Sequence, residues 1–105
     1  MIVYGIPTCD TVKKARAALP GAAFRDIRTD PLSEAERAEL IAAFGDKIIN
    51  RASRTWRTLT SPEQGQSAAA LLMFHPTLMK RPVIRDDTGA LHLGWTPEVQ
   101  RSLGL

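Results

Sequence analysis

The chain predicts an α/β fold: a mixed sheet written in the order β-α-β, a helical block, then β-β-α. Three features point to it. A short apolar run opens the sequence and passes directly into an amphipathic helix and a second strand. The middle, roughly 31–79, carries two helix-start signals and little strand character. The end returns to two short strands flanking a tight turn.

Residues 2–6 (IVYGI) read as a buried strand. Residues 10–19 (DTVKKARAAL) read as a helix, because Val12, Ala15 and Leu19 recur at spacings of three and four. Pro20-Gly21 stops it. Residues 22–28 alternate loosely around Phe24 and Ile27 and form the second strand. Two strands joined through a helix pair in parallel, with a right-handed crossover. Ser33-Glu34-Ala35-Glu36 is a capping box. Behind it, Leu32, Ala35, Ala38, Ile41 and Phe44 make one apolar stripe, and Gly45 ends the helix. Residues 46–50 form a short helix or turn. Ser61-Pro62-Glu63-Gln64 is a second start, with Ser61 as N-cap and Pro62 first, and Ala68 to Phe74 continues it as a buried helix. Pro82–Arg85 and Leu91–Trp95 flank the turn signal DDTG as an antiparallel hairpin. Thr96-Pro97-Glu98 opens a last helix to about Leu103. This is the thioredoxin-like order with an inserted helical subdomain, in a single domain spanning 1–105.

Composition narrows the function classes. Hydrophobic residues are 44% and charged residues 24%, values of an ordinary globular chain. No apolar run approaches the roughly 20 residues of a membrane span, and the first one breaks at Pro7, which argues against a cleavable signal peptide. The formal charge is +3. There is no basic tract of five or more and aromatics are 6%, so nucleic acid is not the expected partner. The bases gather at Lys13-Lys14-Arg16, Arg51-Arg54-Arg57 and Lys80-Arg81, as solvated surface or as a site for a small anion. One cysteine makes no internal disulfide, which suits a reducing cytoplasm. Nothing suggests an obligate oligomer, and a monomer is expected.

That cysteine, Cys9, stands where a strand hands over to a helix, in YGIPTCDTVKKAR. Unpaired helical N–H groups give that place a positive potential, which favours a thiolate, and Lys13 and Lys14 add to it while Asp10 opposes it. Backbone N–H groups from Thr11 onward, with Lys13, are the candidate stabilisers. From composition alone a buried, inert thiol is the commoner role. The strand-loop-helix setting favours a nucleophile, because α/β folds hold anions there. A metal site is not expected: one Cys with His75 and His92 offers no ligand spacing. The residue three after Cys9 is Val12, so an oxidised Cys9 needs an outside thiol to resolve it.

The second informative stretch is MKRPVI, in which Arg81-Pro82 opens a strand. About 5–6% of X–Pro bonds are cis, so an ordinary turn would be trans. In a thioredoxin-like sheet, however, the proline opening this strand is commonly cis and faces the active-site cysteine. Arg81 would then lie near Cys9, and its planar fork suits an oxyanion or a carboxylate.

YGIPTCDTVKKAR, NRASRTWRTL and KRPVI, in that order, resemble the arsenate reductase (ArsC)/Spx family, closest to its small YffB-type members. The resemblance covers essentially the whole chain. It implies a thioredoxin-like fold with an inserted helical subdomain. It implies a catalytic Cys9 thiolate that attacks arsenate or a disulfide, with glutathione or glutaredoxin as reductant and no bound cofactor. Of three arginines around the family's cysteine, one maps onto Arg81 beside Pro82. The second maps loosely: aligning on Trp56 puts Ala52 there, so Arg51 or Arg54 would substitute. The third has no counterpart, since Gly94 and Trp95 occupy its region. The resemblance therefore implies a glutathione-linked thiol reductase more firmly than an efficient arsenate reductase. Spx-like regulators sense oxidation through a C-x-x-C pair, which Val12 removes; a non-catalytic partner-binding module is the alternative. Trp56 reads as packing, and Arg57 and Lys80 as surface charge.

Overall fold

The apolar run at the start forms β1 (Ile2–Gly5), an interior strand buried along most of its length. The structure, a computed structural model, describes residues 1–105. β1 pairs in parallel with β2 (Ala23–Asp26) and antiparallel with β3 (Val83–Arg85), and β3 pairs antiparallel with β4 (Leu91–Leu93). The sheet order is β2-β1-β3-β4, the mixed thioredoxin-like sheet that the sequence predicts. Between β1 and β2 runs α1 (Asp10–Ala18).

The register puts Phe24, Val3, Ile84 and His92 in one row across the four strands. Val3 and Ile84 meet Val12 and Ala15 of α1 in a closed core, flanked by Cys9, Phe24, Trp95 and Leu103. Gly5 lets α1 lie this close. A Cβ there would stand 2.6 Å from Cγ2 of Val12, inside any real carbon contact. The last helix, α6 (Pro97–Ser102), starts on Thr96, whose hydroxyl accepts from Val99 N at 3.2 Å.

The β3–β4 turn is organised by one carboxylate. Asp86 Oδ1 accepts from Thr88 N, Thr88 Oγ1 and Ala90 N at 2.9, 2.6 and 3.0 Å. Its Oδ2 lies 2.9 Å from His92 Nε2, and a carboxylate can only accept, so that nitrogen carries the hydrogen. His92, then the Thr88 hydroxyl, hold Asp86 well below the usual carboxylate range.

The chain folds as two compact units: Met1–Asp30 with Arg81–Leu105, and Pro31–Lys80. The second is helical. It contains α2 (Glu34–Phe44), a 3-10 turn (Gly45–Ile48), α3 (Arg54–Thr58), α4 (Ser61–Gln64), α5 (Ala68–Phe74) and a second 3-10 turn (Pro76–Leu78). α2 packs on α5, and α5 packs on both 3-10 turns. Ser33 forms the predicted capping box with Glu36, and Gly45 ends α2 at φ +58°.

Three expectations in this unit change. The predicted stripe is only part of the inward face of α2: Leu32, Ile41 and Phe44 are partly buried, but Ala35 and Ala38 are exposed and the fully buried residue is Leu40. Alanine methyls bury too little area to command a face, whereas Leu40 does. The second start lies one residue earlier, on Thr60. Its hydroxyl accepts from Glu63 N at 3.3 Å while Glu63 Oε1 accepts from Thr60 N at 2.8 Å, leaving Pro62 in second place. The Ala68–Phe74 segment does not continue that helix but starts again on Ser67, and only Leu71 and Leu72 are buried. Met73 and Phe74 remain 57% and 62% exposed.

Candidate active site

Cys9 is the N-cap residue of α1, with extended backbone at φ −80° and ψ 122°. Its N–H donates to Ile6 O at 3.2 Å, which closes the Pro7-Thr8 turn beyond β1. Its carbonyl accepts from Lys13 N at 3.0 Å, the first bond of the helix. The side chain is half-buried at the edge of the core. It makes no capping hydrogen bond, so the first-turn N–H groups, Thr11 among them, present their partial positive charge beside the sulfur. Lys13 and Asp10 qualify the local charge: Lys13 Nζ stands 3.9 Å from Asp10 Oδ1, so the lysine faces the carboxylate that opposes a thiolate. Val12 is fully buried against the sheet and offers no place for a second sulfur in reach of solvent.

Arg81 and Pro82 come to the same end of the sheet through strand register. Tyr4 pairs with Val83, so the chain enters β3 from Arg81-Pro82 at the end of the sheet where β1 leaves toward Cys9. The Arg81–Pro82 peptide bond is cis. Pro82 O accepts from Gly94 N at 2.8 Å, and Arg81 is half-buried with its Nε sealed from solvent. Gly94 has φ +83°, where a side chain would strain the backbone. This is the region in which the resemblance placed a third arginine.

Sequence reasoning passed over the third member of this end. Gly5 pairs with Asp26, and Ile27 N donates to Gly5 O at 3.1 Å. Asp26 accepts from the Arg28 N–H at 3.0 Å and lies 3.4 Å from its guanidinium. The backbone bond first, and the guanidinium after it, hold the Asp26 carboxyl below its ordinary range. The D-x-R spacing was the available signal. The end of the sheet thus carries Cys9, Thr11, Lys13, Asp26, Arg28, Arg81 and Pro82, beyond the C-terminal ends of the parallel strands, where open α/β sheets hold ligands.

Arg51 and Arg54 belong to the helical unit. Arg51 Nη1 donates to Asp46 O at 3.3 Å, and its guanidinium stands 5.2 Å over the Trp56 ring. Arg54 is the exposed first residue of α3. No three His, Cys, Asp or Glu side chains converge to hold a metal ion. His75 ends α5, 3.8 Å from Glu63, and His92 serves the β3–β4 turn.

Residues 4–103 match the sequence profile of the ArsC family. The chain belongs to the ArsC family. It is 38% identical over 98 residues to an uncharacterised protein of Haemophilus influenzae, covering 85% of this chain and 86% of that one. It is 28% identical over 110 residues to the global transcriptional regulator Spx 2 of Lactococcus lactis, covering 95% and 83%. Among solved structures, a protein described as YFFB superposes with a TM-score of 0.85 at 28% identity, covering 97% and 96%. An arsenate reductase (ArsC) related protein from Brucella melitensis superposes at 0.73 with 30% identity, covering 96% and 91%. The ArsC fold is therefore the fold of this chain, and no helix in it is long and apolar enough to cross a membrane.

Proposed function

We propose that this ArsC-family protein is a thiol oxidoreductase with Cys9 as its nucleophile. The observation that carries the proposal is the place of Cys9 as N-cap of α1 just beyond β1, with Arg81-Pro82 one strand away. The thiolate attacks one sulfur of a disulfide, forming a mixed disulfide and releasing the other sulfur as a thiolate. A second thiolate from outside, glutathione or a glutaredoxin, then attacks the sulfur bound to Cys9. The bond to Sγ breaks, Cys9 leaves as thiolate, and the reductant is left oxidised in a new disulfide with that sulfur. An oxyanion such as arsenate enters the same scheme when the thiolate displaces one oxygen, which leaves as water after protonation; attack of the outside thiolate on Sγ then expels arsenite and leaves Cys9 in a mixed disulfide for a further thiol to reduce. A glycine at φ +83° in place of a third arginine favours disulfides over arsenate as substrates. Arg81 holds the anionic group of the substrate or of glutathione, with Arg51 or Arg54 supplying a second guanidinium. The setting is the cytoplasm, and the protein acts as a monomer.

Incubation with oxidised glutathione, followed by intact-mass analysis, is expected to give one glutathione adduct that Cys9→Ser abolishes. Iodoacetamide should alkylate Cys9 at neutral pH faster than it alkylates free glutathione; an equal or slower rate would sink the enzyme reading. Arg81→Ala is expected to weaken binding of glutathione or an oxyanion by about 1–3 kcal/mol, a charge-assisted bond, with the smaller share lost in Arg51→Ala or Arg54→Ala. Unchanged affinity in Arg81→Ala refutes the anion role.

The likeness to an Spx regulator across 95% of this chain favours a second reading, a non-catalytic partner-binding module. It predicts that the Cys9→Ser variant keeps its biological role, which the enzyme reading forbids.

A further inference from the structure

The largest group of exposed cations without an ion pair lies in the helical unit. In the sheet unit Lys13, Arg25, Arg28 and Arg101 each lie within 4.0 Å of a carboxylate. In the helical unit Lys47, Arg51, Arg54, Arg57 and Lys80 are all exposed, and none of them forms an ion pair.

Local structure gathers these five. Lys80 N donates to Ile48 O at 2.7 Å and Ile49 pairs with Met79, which sets Lys80 opposite Ile48, the residue after Lys47. Arg51 follows one residue beyond Asn50, whose N–H donates to Leu78 O. Arg54 and Arg57 stand three apart on α3 and share a face. Thr55 turns another side of that helix inward, with its hydroxyl 3.0 Å from that of Thr77. Two of the guanidinium groups are held in place by backbone carbonyls: Arg51 by Asp46 O, and Arg57 by Ala52 O at 3.1 Å. They are positioned without being neutralised.

The charge is segregated as well as gathered. Within residues 45–58 and Lys80 the five cations face one acid, Asp46, a balance of +4 against +3 for the entire chain. The acids of the same unit lie mostly on α2, as Glu34, Glu36 and Glu39. We propose that this surface, led by Lys47, Arg57 and Lys80, docks an acidic segment of a partner protein. A row of Asp and Glu side chains would meet the guanidinium groups in charge-assisted pairs. Nucleic acid suits the surface less well. α3 has five residues, too short to lie along a groove, and its one aromatic ring, Trp56, sits beneath Arg51 and gives bases no stacking platform.

The test is an NMR titration of the isotope-labelled full chain with a decaglutamate peptide, at low and at physiological salt. Shifts confined to residues 47–58 and Lys80, weakening as salt rises, are the expected result. Lys47→Glu with Arg57→Glu should weaken binding about tenfold, while Lys14→Glu with Arg101→Glu, an equal change in net charge, should leave it within about twofold. A well-dispersed spectrum for each variant confirms its fold. The proposal is overturned if both pairs weaken binding equally, if no binding occurs, or if a DNA duplex displaces the peptide from the same residues.

Discussion

The sheet unit and the helical unit hold their backbones in opposite ways. In the first, each strand is placed by residues far away in the chain: Ile2 pairs with Arg85 and Tyr4 with Val83. In the second, each helix starts on a hydroxyl of its own: Ser33, Ser53, Thr60 and Ser67 cap α2, α3, α4 and α5. Helices of four to seven residues have little stability alone, so these caps matter to whether they form. The difference teaches where a reactive group can be held. Cys9 follows β1 and Arg81 precedes β3, so the β1–β3 pairing brings both toward one end of the sheet. The helical unit instead displays side chains on short, separately started segments, a construction suited to a recognition surface.

Substitutions can break or sharpen this contrast. The largest effect is expected at Gly5, where long-range packing is tightest. Gly5→Ala places a methyl 2.6 Å from Cγ2 of the fully buried Val12 and should cost about 1–3 kcal/mol in denaturant unfolding. Combining it with Val12→Ala, which makes room, should cost less than the two single losses added together. An additive double variant would show that the close approach of α1 to β1 is not the cause.

A cap in the helical unit should cost less. Ser33→Ala removes the oxygen that accepts Glu36 N and should destabilise by about 1 kcal/mol, with hydrogen-exchange protection lost first in α2. A loss spread evenly over both units would break the contrast between local and long-range anchoring.

The smallest effect concerns pH. Asp86 is held below its ordinary pKa by His92 and Thr88, so between its unfolded and folded values the unfolded chain binds more protons than the native one. Its contribution is complete above about pH 4, the unfolded carboxyl value, and is lost as pH falls toward the lower folded value. Thermal unfolding followed from pH 6 downward should show the melting temperature of Asp86→Asn falling less steeply with acid than that of the parent. Parallel curves would remove Asp86 from the acid response.

Much of the architecture was legible without the structure because it is written locally. The β-α-β opening, the capping box at Ser33, the DDTG hairpin and the Thr96 start all depend on residues within a few positions of one another. The misreadings have the same origin. Thr60 and Ser61 are both competent caps, and only the reciprocal bonds with Glu63 choose Thr60. A stripe containing two alanines satisfies helical spacing, yet packing on α5 selects the Leu40 face. Phe74 has the composition of a core residue and stands in solvent, which no periodicity announces.

At the site the division is equally physical. By itself the sequence determined that one thiol stands at a strand-to-helix junction, that Val12 denies it an internal resolving partner, and that an arginine precedes the proline of a later strand. Only the tertiary structure decided that Arg81-Pro82 comes to the end of the sheet that Cys9 follows, that Asp26 and Arg28 join the same end, that Asp86 clasps His92, and that five cations stand exposed without a carboxylate partner. Periodicity and capping are settled by neighbours a few residues apart. Strand register joins residues roughly eighty positions apart, and it is settled by which side chains are buried together once the sheet has closed.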